Sequence, residues 1–155
     1  MSTRLDAQLQ FSSEQAITVD AISENVIDLA PLGGSNTVRD IAAAGNLGVM
    51  LNVVASLTDA DGTPTLTVTV ESDSTADLAT SATVHATLIN NQLEAALVAG
   101  TTYYVPLQPG AYERYLGLRY NAITADFDGG TVDAWLVHGP QPTWRAYSDN
   151  TTNSA

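Results

Sequence analysis

The 155-residue chain has no cysteine and no lysine. Without thiols it forms no disulfide, no thiolate nucleophile and no zinc–thiolate cluster. A cysteine-free chain tolerates either redox compartment. Without lysine it has no phosphate loop of the Gly-x-x-x-x-Gly-Lys kind. Five arginines are the whole basic complement, set against 17 acidic residues, a formal charge of −12 and a pI near 4.1. Such a surface repels phosphate backbones and anionic head groups, so nucleic acid and membranes are poor partners. There are only two histidines, His85 and His138. They fall on different strands and cannot supply the several-histidine set of a metal-binding cupin-type barrel. The first residues, "MSTRLDAQLQ", lack the apolar core of a signal peptide, and no window approaches the ~20 apolar residues of a membrane span. The expectation is a soluble chain that does not use the usual secretory signal.

What is present is period-two alternation. In "TLTVTVES", Leu66, Val68 and Val70 point one way and Thr65, Thr67, Thr69 and Glu71 the other. Similar runs are "QAITVDA", "ENVIDLA", "LGVMLNVVASL", "ATVHATLI", "TTYYVPL", "RYLGLRYNA" and "TVDAWLVHG". That makes about eight short strands, separated by the turn-forming stretches "PLGGSN", "DADGTP", "VAGTT", "QPGAY" and "DFDGG". Two stretches have helical spacing, "NTVRDIAAAGN" and "NNQLEAALVAG". Both are short. The pattern predicts an all-β, eight-stranded antiparallel sandwich or barrel. Its body spans residues 13–138, with an N-terminal arm over 1–12 and a C-terminal arm over 139–155. The second arm carries Pro140, Pro142, Trp144 and Tyr147, and aromatic anchors of this kind are enriched at interfaces.

No catalytic signature emerges. A Gly-x-Ser-x-Gly elbow is missing, and "PLGGSN" precedes no convincing helix. The turns Asp59-Ala60-Asp61-Gly62 and Asp126-Phe127-Asp128-Gly129 place two carboxylates two residues apart, a spacing that can share a calcium ion. The spacing of a helix–loop–helix calcium site fails, because glycine comes fourth and Val70 twelfth from Asp59. Asp-Gly is also a favoured hairpin pair, so hairpin turns are the expectation, without metal or cofactor. His85 is expected to face solvent or a neighbour, and His138 to sit at a strand end.

The candidate contact residues are aromatics and arginines. Alternation sets Tyr104 opposite to Tyr103, Val105 and Leu107, and Trp135 opposite to Val132, Ala134 and Leu136. One ring of each set therefore looks outward, to stack on a sugar or, the favoured reading, to bury against another subunit. Arg114 and Arg119 lie within one short stretch beside Glu113. Either they form local ion pairs, with Glu113 or Asp133, or they join Arg39 in bidentate contacts to carboxylates across a subunit boundary.

Three features give a resemblance. Gln15-Ala16-Ile17-Thr18 leads into Asn25-Val26-Ile27-Asp28-Leu29; Arg39-Asp40-Ile41 is followed by a glycine and Leu47; Glu113-Arg114-Tyr115-Leu116 is followed by Leu118, Tyr120, a turn and a last strand. Over residues 11–138 the chain resembles the Bbp16-type capsid cement proteins of tailed bacteriophages. It departs from them at Asp128-Gly129-Gly130-Thr131, where the family often carries a lysine, and in the tail after His138. The resemblance implies an eight-stranded jelly roll, made in the host cytoplasm and carried on the outer surface of the virion's capsid. Its partners would be the major capsid protein and itself, as a homodimer or less readily a homotrimer. The expected interface residues are Arg39, Arg114, Arg119, Tyr104, Trp135, Trp144 and Tyr147, with no catalytic role for any residue. The alternative is a carbohydrate-binding sandwich of a fibre or lectin type, using Trp135 or Tyr104 as a platform.

Overall fold

The computed structural model describes residues 7–30, 38–60 and 62–139. Nine strands occur among them: β1 (Gln10–Ala16), β2 (Ala21–Ile22), β3 (Ile27–Asp28), β4 (Leu47–Thr58), β5 (Thr65–Asp73), β6 (Thr83–Leu93), β7 (Thr102–Pro106), β8 (Tyr115–Ile123) and β9 (Gly129–His138). They form two antiparallel sheets. The first runs β1-β9-β4-β7 and the second β2-β8-β5-β6, with β3 also pairing β8. Since β5 takes one edge of β8, the two-residue strands β2 and β3 share the other, so nine strands fill eight lanes. The protein is an all-β sandwich.

Alternation explains the packing. In β4, Val49, Leu51 and Val53 turn into the core, as do Leu66, Val68 and Val70 of β5; Leu116, Leu118 and Tyr120 of β8; and Val132, Ala134 and Leu136 of β9. Each of these strands thus presents one apolar stripe, and two such faces close on each other. A buried polar relay ties the sheets together at one edge. Ser12 Oγ donates to Gln15 Oε1 (2.6 Å) and accepts from the Tyr120 hydroxyl (2.7 Å), while Gln15 Nε2 donates to the Ile22 carbonyl (2.8 Å). Burial pushes the Tyr120 phenol far above its ordinary range.

Several expectations shift. "QAITVDA" is not one strand: β1 begins earlier, at Gln10, inside the segment read as an arm, and brings Phe11 and Ser12 into the core. Two irregularities interrupt its pairing with β9, and at one of them Glu14 adopts a φ of 48° while its amide donates to Asp133 Oδ1. Residues 17–20 then carry the chain from one sheet to the other, with Ile17 fully buried at the corner. Neither helical stretch forms a helix among the described residues. Asn90–Leu93 belong to β6, leaving only a 3-10 turn at Glu94–Ala96, and Arg39 makes an isolated bridge to Tyr112. The Asp-Gly stretches are not hairpins either. β4 and β5 lie in different sheets, as do β8 and β9, so both acidic turns are sheet-to-sheet crossovers.

Candidate interaction surface

The arginines resolve first. Arg114 makes a two-pronged contact with Asp28, Nε to Oδ1 at 3.1 Å and a terminal nitrogen to Oδ2 at 2.9 Å, and sits 5.0 Å from the Tyr115 ring centroid. The hydrogen bonds from Arg114 hold the Asp28 carboxyl below its usual range, against the opposing effect of burial. Arg119 Nε donates to Glu71 Oε2 at 2.8 Å, and its terminal nitrogen to the Leu78 carbonyl at 2.6 Å. Both arginines therefore make local ion pairs, but not with the acids expected. Glu113 instead accepts from Thr83, and Asp133 from the Glu14 amide. Arg39 is exposed on the bridge to Tyr112, and among the described residues it makes no ion pair.

The Arg119 contact belongs to a cap. Residues 74–82 fold over the outer face of the second sheet and place Leu78, 1% exposed, against Gly117. A Cβ on Gly117 would lie 2.8 Å from Leu78 Cδ1 and 2.9 Å from Val26 Cγ1, so glycine is what lets the cap seat. Leu78 itself takes a left-handed φ of 50°. Asp73 anchors the loop. Its fully buried carboxylate accepts from the amides of Thr75, Thr80 and Ser81 and from the Ser74 hydroxyl. Burial works to raise this carboxyl, but the hydrogen bonds outweigh it and hold it below the usual range.

The outer face of the first sheet differs. Register places Tyr104 of β7 opposite Met50 of β4, and Met50 opposite Trp135 of β9. The two aromatics proposed from alternation thus share one row, with a methionine between them that sequence reasoning passed over. The signal was available in the outward parity of Met50 within β4, but only the register makes it a neighbour of both rings. All three are half-buried. The adjoining row holds Pro106, Gly48 and Val137. A Cβ on Gly48 would come within 2.4–2.5 Å of the Tyr104 ring, so the ring lies across the glycine. Among the described residues, no hydrogen bond ties a loop to these rows, in contrast to the capped second sheet. Trp144 and Tyr147 lie outside the described residues.

His85 faces a neighbour within the chain: its ring stacks on Tyr112 with centroids 4.0 Å apart, and Nε2 meets Ser72 Oγ at 2.7 Å. Burial lowers its pKa, partly offset by the Glu113 charge. His138 is exposed at the end of β9. The two acidic turns meet in space, where Asp128 Oδ2 accepts from the Ala60 amide and Glu94 Oε2 from the Asp59 amide, both at 2.9 Å. Asp61 lies outside the described residues. Among those described, no group of three or more histidines and carboxylates is arranged to hold a metal ion.

A family model described as Bbp16 matches residues 11–136, which runs from the second residue of β1 to within β9, two residues short of its end. No curated protein matches the chain.

Proposed function

The chain belongs to the Bbp16 family, a phage-associated group, and from that premise we propose that it is a capsid cement protein. It binds the outer surface of the phage head and stabilises contacts between major capsid subunits. The observation that carries the reading is the family match, which covers nearly all of the sandwich rather than one strand pair.

Three physical features support it. The strand order β1-β9-β4-β7 against β2-β8-β5-β6, with the chain passing repeatedly between sheets, is compatible with the jelly roll this reading expects, its lane beside β8 broken in two. A body with one core shared by both sheets suits a bridge between neighbours. The strongly acidic surface is kept off the packaged DNA by its own charge. And Asp28, Asp73, His85, Arg114 and Tyr120, whose titration is shifted, are each engaged in contacts that hold loops and strands, so the proposal is of a protein that binds and does not catalyse.

Cement acts by mass action. A protein that binds the mature shell and not its precursor or its dissociated subunits stabilises that state by its differential affinity. Modest contacts suffice when copies are linked, because each bound copy holds the next site at high effective concentration. Self-association, as a dimer or less readily a trimer, would supply that linkage.

The test is to strip heads of the phage that encodes this chain, add the purified protein back, and follow both co-sedimentation and the temperature of DNA release. Binding together with a higher release temperature is expected. Heads that neither bind the protein nor gain heat resistance from it would end the proposal.

A further inference from the structure

The outer faces of the two sheets are built differently. On the second sheet, Leu78 fills the space over Gly117, and the Arg119–Glu71 pair is closed by the Leu78 carbonyl. The corresponding ground on the first sheet is the row Tyr104, Met50 and Trp135 beside Gly48 and Val137. Charge distinguishes it further. In a chain with 17 acidic residues, the only charged side chain among the outward positions of β4, β7 and β9 in these rows and the next is Asp133, with exposed Glu14 of β1 hydrogen-bonded to it through its amide. Among the described residues the patch therefore has an apolar centre, an acidic edge and no basic group.

We propose that this face is where the protein meets the head shell, and that its occupant there is a segment of the shell protein with apolar side chains flanked by arginine or lysine. The inference rests on the cement reading and specifies it. The occupant is argued from charge. An aromatic and methionine centre is the composition that binding surfaces concentrate, and the acidic edge selects a partner carrying bases. A second copy of this chain fits poorly, because a two-fold contact joins identical patches, and among the described residues neither patch brings a base to neutralise Asp133 or Glu14. Contacts between copies accordingly fall elsewhere on the molecule.

The experiment compares five proteins for binding to stripped heads: wild type, Trp135→Ser, Met50→Ser, the pair Glu14→Gln with Asp133→Asn, and Val84→Ser as a control. Val84 is 54% exposed on β6 of the other sheet. Asparagine at 133 retains an oxygen to accept the Glu14 amide, so the pair removes charge with little cost to the fold. Trp135→Ser and Met50→Ser should each weaken binding at least tenfold while melting close to wild type. The charge pair should weaken binding at low salt and flatten its salt dependence. Val84→Ser should bind normally, and sedimentation should give every variant the same oligomeric mass. Wild-type binding with undiminished binding by folded Trp135→Ser and Met50→Ser overturns the choice of face. So does a drop in oligomeric mass for either variant, which would make this the face between copies. Failure of the wild type to bind is a different result, and it removes the cement reading itself.

Discussion

Replacing Arg119 by methionine tests whether an arginine in so acidic a chain serves the fold. Methionine keeps an unbranched stem for packing and deletes the guanidinium. Two acceptors then lose their donors. Glu71, whose side chain is only 5% exposed, keeps Thr69 Oγ1 at 2.8 Å but loses its ionic partner, and the Leu78 carbonyl loses its 2.6 Å hydrogen bond. Removing one member of a buried pair costs about 3–5 kcal/mol when burial is complete. Here the arginine side chain is 31% exposed, so water reaches the vacated site. The expected loss is therefore about 2–3 kcal/mol. For a domain of this size that lowers Tm by roughly 5–10 °C, at ~2–4 °C per kcal/mol. Urea and thermal unfolding at pH 7 would measure it. A cycle with Glu71→Gln would isolate the coupling, which should exceed about 1 kcal/mol. Amide exchange in residues 74–82 should quicken as the cap loosens. A loss below ~0.5 kcal/mol with no coupling is what a solvated surface pair gives, and it would refute the view of Arg119 as a clasp.

Other outcomes follow from the same contacts. Asp73→Asn should cost about 1–3 kcal/mol at neutral pH by weakening the support for three loop amides. Because the native carboxyl is held below its ordinary value, its contribution is complete above about pH 4 and is lost as pH falls through the native value. The stability gap between wild type and variant should therefore narrow in acid, and a gap independent of pH would contradict the assignment. His85 is half-buried with its pKa lowered, so the fold should lose stability as pH falls below ~6.5, since the unfolded chain takes up the proton first. An NMR titration placing His85 at or above the free value would exclude this. Gly117→Ala should cost about 1–3 kcal/mol through contact with Leu78 and Val26. The same change at Gly110, where a Cβ meets nothing within 4 Å, should be far milder, and equal melting points would show that the cap is loose.

How much of this was legible in the sequence depends on the range of each interaction. The all-β class follows from alternation, a local property, and so does the division of β8 into inward Leu116, Leu118 and Tyr120 and outward Tyr115, Gly117 and Arg119. The outward parity of Tyr104 and Trp135 was legible for the same reason. Strand ends were less so. Alternation continues through residues 15–21 although pairing there breaks, because Ile17 is buried at a corner between sheets rather than within a ladder. Leu93, Ala96 and Leu97 have helical spacing, yet Leu93 is exposed at the end of β6 while Leu97 enters the core after a single 3-10 turn.

Pairing across long stretches of chain lay beyond the sequence. Arg114 finds Asp28 86 residues away and Arg119 finds Glu71 48 residues away, while the nearby Glu113 takes no part in either pair. The Asp-Gly turns read equally well as hairpins or crossovers, since local turn chemistry does not say which sheet the next strand joins. Composition and periodicity determined the class of fold, the acidic character of the surface and the direction each strand residue points. Only the tertiary structure decided which strands became neighbours, and with them the capped face and the row that joins Tyr104, Met50 and Trp135. The physical reason is that side-chain direction is a property of one strand, whereas adjacency is chosen by burial of the whole core.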